Sequence, residues 1–360
     1  MSAKAVISTS ERAAAPAALG LEAATIAVLA GGRSTEREVS LSSAREIARA
    51  LATPSGPEDR RGPARVVEVE LAADGRWIVA GRSLAVGEAL AALAGVDVVF
   101  SGLHGGEGEG GTIQGLCAAA GLATTGSDVR GSAVALDKVF SRELVRAAGG
   151  TVARGRAVDL ADWRRDPDRE LAVLVSWPGA GWVVKPRCGG SSVGTAIARR
   201  ADELPGALET AFRYEDEALV EELLVGVELT GGVVEDPAGS LVALPAIEIR
   251  PHPGRFFDYE EKYSPAGAAE LCPPESVSAE IGERVRRLSL LAHRTLRCRG
   301  YSRSDFLLPA GSREPVFLEA NTLPGMTPRS LVPLAARTAG IDYRTLCLWI
   351  AAAALRGRGR

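Results

Sequence analysis

A lysine followed by a dense run of glycine and serine is the first arrangement here that could do chemistry. Lys185 ends the apolar run Trp182-Val183-Val184, and Gly189-Gly190-Ser191-Ser192-Val193-Gly194 comes just after it. Small residues let backbone N–H groups approach an anion, hydroxyls add donors, and a lysine on the preceding strand reaches phosphate oxygens. An ordinary hairpin turn needs fewer glycines and serines, so the run reads as a phosphate site. It is not a Walker A loop, because GxxxxGK[ST] occurs nowhere. A second set is Arg303-Ser304-Asp305 with Glu319-Ala320-Asn321. Glu319 and Asn321 are two apart and share one face of a strand. Together with Asp305 they form the hard-oxygen set that Mg2+ prefers, with nucleotide phosphates completing the octahedron. Phe306, Leu307, Leu308, Phe317 and Leu318 imply that both strands are buried, where an acid needs a partner or a metal. The third set is His104 with the loop Gly105 to Gly111. Gly106, Gly108 and Gly111 satisfy a dinucleotide-type GxGxxG, but Glu107 and Glu109 inside it would repel a pyrophosphate. A carboxylate-lined glycine loop suits an ammonium group, or the orientation of His104, better. His104 ends a strand at the edge where α/β folds place ligands. His252 and His293 read as loop and helix-surface residues, and Cys188 as a spacer.

These groups need a scaffold, and the apolar patterning describes one. A strand over 25–30 runs into Gly31-Gly32, and Leu41, Ala44, Ile47, Ala48 and Leu51 follow at helical spacing. Strands over 66–71 and 96–100 and a helix over 112–120 continue a parallel α/β unit. This N-terminal domain spans 24–137, behind an extension over 1–23 expected to be disordered. A helix over 137–148 opens a central domain, 138–222. It contains a hairpin of strands 182–185 and 195–198 around the Gly/Ser loop, a helix over 201–212 and a strand over 218–224. The C-terminal domain, 223–360, has strands over 227–234 and 241–249. A long polar segment, 251–274, reads as a lid. Ser278 can cap a helix with Ile281, Val285, Leu288, Ala292 and Leu296 on one face. Strands over 305–308 and 316–319 and helices from about Ser330 and Asp342 close the chain. The fold class is α/β, with α+β character in the nucleotide-binding part.

Bulk properties exclude other classes. At 360 residues the chain is long enough for two or three domains. Its net charge of -3 provides no footprint for nucleic acid or an anionic membrane surface. No apolar run is long enough to span a bilayer. Five scattered cysteines without a CxxC pair argue against disulfides and zinc, and fit a reducing cytoplasm.

Taken together, the motifs resemble those of the D-alanine–D-alanine ligases of the ATP-grasp superfamily. They begin with Gly31-Gly32-Arg33-Ser34-Thr35-Glu36-Arg37-Glu38-Val39-Ser40-Leu41 and His104-Gly105 through Gly111-Thr112-Ile113-Gln114-Gly115. Asp137-Lys138, Lys185-Pro186 with the Gly/Ser loop, and Asp258-Tyr259-Glu260-Glu261-Lys262-Tyr263 follow. Arg303-Ser304-Asp305, Glu319 through Thr327, and Ser330-Leu331-Val332-Pro333 complete the series. The likeness runs in family order from about residue 24 to the end.

The resemblance implies a three-domain ATP-grasp enzyme that joins two D-alanines through an acyl phosphate for peptidoglycan precursor synthesis. ATP would lie between the central and C-terminal domains. Lys138, Lys185, Ser191, Ser192 and Lys262 would meet its phosphates. Glu221, Glu222, Leu223, Leu224, Phe256 and Leu318 would line the base, and Glu228 would hold the ribose. Asp305, Glu319 and Asn321 would carry two Mg2+ ions, with Mn2+ as a substitute. Glu36, Val39 and His104 would hold the first D-alanine, and Ser330 and Leu331 the carboxylate of the second. Arg303 and the Gly325 N–H would stabilise the oxyanion. Glu36, Ser191 and Tyr263 would link the closing lid. A homodimer in the cytoplasm is implied as well. A related ligase using D-lactate, D-serine or a pathway-specific amino acid as acceptor, a dinucleotide-dependent oxidoreductase, and a non-catalytic nucleotide-binding module remain the alternatives at this point.

Overall fold

A computed structural model of the chain describes residues 19–56, 59–251 and 267–357, and it contains three sheets. The first comprises β1 (Thr25–Gly31), β2 (Arg65–Leu71), β3 (Trp77–Val79), β4 (Arg82–Leu84), β5 (Val98–Ser101) and β6 (Ala123–Thr124) in the order β4-β3-β2-β1-β5-β6. Here β1 is parallel to both β2 and β5. Helices α1 (Arg37–Ala52), α2 (Val86–Ala92), α3 (Gly106–Glu109) and α4 (Thr112–Ala119) connect these strands. The unbroken apolar run of β1 follows from burial on both faces. Ile26 and Val28 join one hydrophobic cluster with Ile47 and Leu51 of α1, whereas Ala27 and Leu29 join the opposite one with Leu93 and Cys117.

Helices α5 (Val129–Leu136) and α6 (Lys138–Ala147) follow, then the short strand β7 (Thr151–Val152). The second sheet, β10-β9-β11-β8, is antiparallel. It is built from β8 (Gly155–Asp159), β9 (Trp182–Pro186), β10 (Ala196–Ala198) and β11 (Glu217–Glu222), with helices α7 (Leu160–Arg165), α8 (Pro167–Val175) and α9 (Leu204–Ala211). The third sheet contains β12 (Gly226–Glu235), β13 (Leu241–Ala243), β14 (Ile247–Arg250), β15 (Ala269–Leu271), β16 (Tyr301–Pro309) and β17 (Val316–Asn321). Helix α10 (Ala279–Thr295) packs on it, and α11 (Leu331–Thr338) and α12 (Tyr343–Gly357) end the chain.

Several expectations change on this frame. β7 pairs in parallel with β17, and Ala135 and Val145 of α5 and α6 pack with Leu229, Phe306 and Phe317. The segment from 138 to 152 therefore sits on the third sheet, not with the four-stranded one. Leu19 and Leu21, placed by sequence in the disordered extension, are buried in the first hydrophobic cluster. The segment 241–249 divides into β13 and β14, because its middle residues leave the ladder at Leu244, Pro245 and Ala246. The stretch expected to be a lid contains β15, which pairs with β14. Its residues 252–266, with Phe256, Lys262 and Tyr263, lie outside the described residues. His293 is not a surface residue. It is buried on α10, with Nδ1 2.7 Å from Ser302 Oγ, and burial holds its imidazole down at about 4.

Candidate active site

The first wall of the site forms where β1 and β5 end. Ser40 accepts from the Gly31 N–H and donates to the Gly102 carbonyl, tying the two strand ends together. Ser34 Oγ donates to the His104 carbonyl at 2.6 Å. These bonds set Glu36, at the start of α1, against the loop that carries His104. Gly105 has φ 68°, a conformation that favours glycine, and a Cβ there would also stand 2.7 Å from Glu36 Oε2. His104 Nδ1 lies 3.0 Å from the Leu323 carbonyl, which can only accept, so Nδ1 carries the proton. Nε2 then accepts from Ser43 Oγ at 3.0 Å. Burial pulls the imidazole below its ordinary range, and the ring stays neutral. Both its nitrogens are thus engaged by protein. His104 lines the cleft while fastening the first sheet to the turn after β17.

The second wall is the Gly/Ser loop. As the sequence implies, β9 and β10 are antiparallel, with Val184 opposite Ala196. Ser191 and Ser192 both have positive φ, at 50° and 58°. A left-handed backbone is uncommon for serine and persists where its surroundings enforce it. Ser191 Oγ donates to Glu36 Oε1 at 2.5 Å, linking this loop to the first wall. Asp137 caps α6 through the N–H groups of Val139 and Phe140. Lys138, the first residue of that helix, points its Nζ at the Gly189 carbonyl, 2.5 Å away.

The floor is a patch on β16 and β17. Asp305 faces Glu319 and Arg303 faces Asn321, so all four side chains occupy one face. The register slips between Asp305 and Phe306, leaving Leu318 as an extra residue on β17. The bulge turns Leu318 toward the cleft beside Glu319. On the far face Phe306 and Phe317 meet edge-on, 5.9 Å between centroids, and anchor the strands. Arg303 grips Asp305 through Nε at 2.9 Å and a terminal nitrogen at 2.7 Å. Thr230 donates to the same carboxylate at 2.6 Å. Lys138 Nζ is 3.8 Å from Glu319. Asn321 Oδ1 accepts from the Leu323 N–H, which shapes the turn leading to Gly325. A Cβ on Gly325 would come within 3.0 Å of Ser330 Oγ, so a larger residue in this turn would press on Ser330. Among the described residues, no three carboxylates, histidines or cysteines converge as a cage. Two carboxylates and an amide on one face instead suit a hard cation whose remaining ligands come from phosphate and water.

These walls enclose two clefts. One, of about 1050 Å3, is lined by Lys138, Lys185, Ser192, Glu221, Glu222, Leu223, Leu224, Glu228, Asp305, Leu318 and Glu319. The other, of about 1830 Å3, is lined by Glu36, Val39, His104, Ser191, Arg303, Asn321, Gly325, Ser330 and Leu331. The motifs of the sequence thus come together, apart from Phe256, Lys262 and Tyr263 outside the described residues. Thr327, Arg329, Glu270 and Glu109 also line the second cleft. Sequence reasoning noticed Glu109 as a loop carboxylate but did not count it among the site residues. Burial first, then the charge of Glu36, push it up to about 7. Arg142, also missed, is buried behind Glu221 with Nε 2.8 Å from Oε1, while Lys185 Nζ is 2.5 Å from Oε2.

Comparison with known proteins decides what this architecture is. The family models for the D-ala D-ala ligase N-terminus and C-terminus match residues 25–127 and 144–350. The chain belongs to the D-alanine–D-alanine ligase family. A D-alanine–D-alanine ligase of Syntrophobacter fumaroxidans is 39% identical over 91% of this chain and 96% of its own length. The ligase of Geobacter sulfurreducens is 40% identical over 91% and 92%. Among solved ligase structures, that of Bacillus anthracis in complex with ATP superposes with a TM-score of 0.73 at 29% identity, covering 93% of this chain and 99% of that one. A D-Ala:D-Ser ligase from Enterococcus faecalis reaches 0.75 at 26% identity, covering 92% and 99%. The three sheets are thus the ATP-grasp arrangement of the D-alanine–D-alanine ligases, with the first cleft between the second and third sheets and the second cleft where all three meet.

Proposed function

We propose that the chain joins two D-alanine molecules into D-alanyl-D-alanine at the expense of ATP, for peptidoglycan precursor synthesis. The observation that carries this reading is that the two clefts meet. Lys138, Gly189, Gly190 and Glu319 line both. A nucleotide in the first cleft would present its terminal phosphate to a carboxylate in the second across that boundary.

The roles follow from chemistry. Attack of the first D-alanine carboxylate on the γ-phosphorus brings negative charge onto negative charge and releases ADP. Lys138, Lys185 and the backbone N–H groups of the Gly/Ser loop offset that charge. Mg2+ held by Asp305, Glu319 and Asn321 would add its own charge to this screening. Glu36 holds the ammonium of the first D-alanine. The neutral amine of the second then attacks the acyl phosphate carbonyl, and phosphate leaves. Arg303, its plane fixed by Asp305, and the Gly325 N–H stabilise the oxyanion. Ser330 and Leu331 hold the carboxylate of the second D-alanine. An acyl phosphate hydrolyses if water enters, so the Glu36–Ser191 link belongs to closure, with Tyr263 as its third member. We assign the enzyme to the cytoplasm as a homodimer; no helix among the described residues is long and apolar enough to cross a membrane.

The test is phosphate release from Mg-ATP with D-alanine as the only amino acid, with the product weighed by mass spectrometry. The dipeptide mass supports the proposal. Release only with another amino or hydroxy acid removes D-alanine as acceptor.

A further inference from the structure

Lys185 belongs to a buried group of three charges with Glu221 and Arg142, and none of the roles above explains the arginine. Glu221, on β11, lines the first cleft and is 3% exposed. Its Oε2 is 2.5 Å from Lys185 Nζ, and its Oε1 is 2.8 Å from Arg142 Nε. Arg142 is 2% exposed and does not line the cleft. It stands on the second turn of α6, where it also donates to the Ala153 carbonyl just beyond β7. Gly155 makes room for it, since a Cβ there would come within 2.9 Å of its guanidinium. The contact with Oε1 is close but not aligned as a hydrogen bond, whereas Ala153 fixes the arginine firmly. Arg142 therefore acts on Glu221 chiefly through charge.

The charges explain why two cations share one carboxylate. Glu221 and Lys185 alone would make a neutral buried pair, with the lysine's charge spent on its partner. Drawing Lys185 toward phosphate would then leave a carboxylate buried and uncompensated, a costly state. Arg142 supplies the compensating charge from the protected side. The group of three keeps a net positive charge of one, on the lysine side that faces the phosphate loop.

We propose that Arg142 is a positioning residue for nucleotide capture, holding Glu221 by one oxygen so that Lys185 can turn from the other toward the phosphates of ATP. The inference rests on the reading of the first cleft as the ATP site. It concerns a residue that touches no substrate, so its mark is on nucleotide affinity. Replacing Arg142 returns Lys185 to Glu221 and weakens Mg-ATP by roughly tenfold to a hundredfold, the worth of one hydrogen bond to a charged group.

The experiment is calorimetric titration of the full-length protein with Mg-ATP, together with KM and kcat for ATP. Arg142→Met is expected to raise Kd and KM for ATP by that factor with kcat changed far less, and Arg142→Lys to recover most of the loss. A purely structural arginine would lower the melting temperature and the active fraction but leave the Kd of the folded protein alone. The double variant Arg142→Met/Glu221→Gln removes the uncompensated carboxylate and should bind Mg-ATP better than Arg142→Met. If Arg142→Met does not fold, the comparison of Arg142→Gln/Glu221→Gln with Arg142→Gln asks the same question. Wild-type affinity in folded Arg142→Met, or no recovery in the double variant, overturns the proposal. A wild type that fails to bind Mg-ATP overturns the functional reading itself, so the two failures are distinguishable.

Discussion

Replacing Glu109 with glutamine should make the protein more stable, but only toward neutral and alkaline pH. Glu109 is buried in the second cleft, where burial and then the Glu36 carboxylate push its pKa from 4.5 up to about 7. The folded state thus holds the proton more tightly than the unfolded state. Where the native state binds more protons, stability falls as pH rises, so the loss begins near 4.5 and is complete above 7. A difference of about 2.5 units at about 1.4 kcal/mol each amounts to about 3 kcal/mol. Glutamine has the shape of the protonated acid and carries no charge at any pH. Urea unfolding of wild type and Glu109→Gln, without ligands and at pH 5, 6, 7 and 8, measures the effect. The two proteins should be nearly equal at pH 5, and the variant should gain steadily to a plateau by pH 8. A difference that stays constant from pH 5 to pH 8 would refute the reasoning, because it would locate the effect of Glu109 in packing. Loss of stability in the variant at pH 8 would show that the carboxylate is ionised and well paired in the folded protein.

The other predictions concern catalysis and the floor of the site. Asp305→Asn and Glu319→Gln should each abolish phosphate release; near-normal turnover in both would remove the metal assignment. Ser191→Ala cuts the 2.5 Å link to Glu36 and should lower kcat by on the order of tenfold to a hundredfold, as loss of a hydrogen bond to a charged group does. Steady-state kinetics with D-alanine would show this, and an unchanged kcat counts against a role in closure. Phe317→Ala removes the ring packed edge-on against Phe306 and should destabilise the third sheet by about 3–5 kcal/mol in denaturant titration. A loss below about 1 kcal/mol would mean that the strands are anchored elsewhere.

The residues that line the two clefts were legible in the sequence because each is marked by residue type at short range. Lys185 with its glycine and serine run, the acid and amide on β17, and His104 in the loop after β5 all announce themselves within a few positions. What escaped depends on distant partners. β7 is only Thr151–Val152, too short for any periodicity, and its partner Val316–Phe317 lies far along the chain. Arg142 reads as one more charged residue on an amphipathic helix until Glu221 arrives from β11. His293 falls beside the predicted apolar face of its helix, and only Ser302 on β16 shows why a histidine can be buried there. The environment of Glu109 is likewise made by Glu36, from another loop.

The pairing of β7 with β17 has a mechanical consequence. The chain visits the third sheet, leaves to build the four-stranded one, and returns, so the smaller sheet is attached by two strands of chain. Both crossings are short, residues 153–154 and 223–225, and they lie side by side. The Glu222 N–H donates to the Arg154 carbonyl at 2.9 Å, and the Arg154 N–H donates to the Glu222 carboxylate at 2.8 Å. A flap mounted on two adjacent straps cannot swivel; it folds along one line, like a book on its spine. Ala153, Glu222, Leu223 and Leu224 line the first cleft at that spine, while the Gly/Ser loop lies out on the cover. Rotation about such a spine would sweep Ser191 and Ser192 through an arc and leave the residues at the crossings nearly in place. A flat ring seated in the spine would keep its contacts whether the book is open or shut, leaving the phosphates to register the closure.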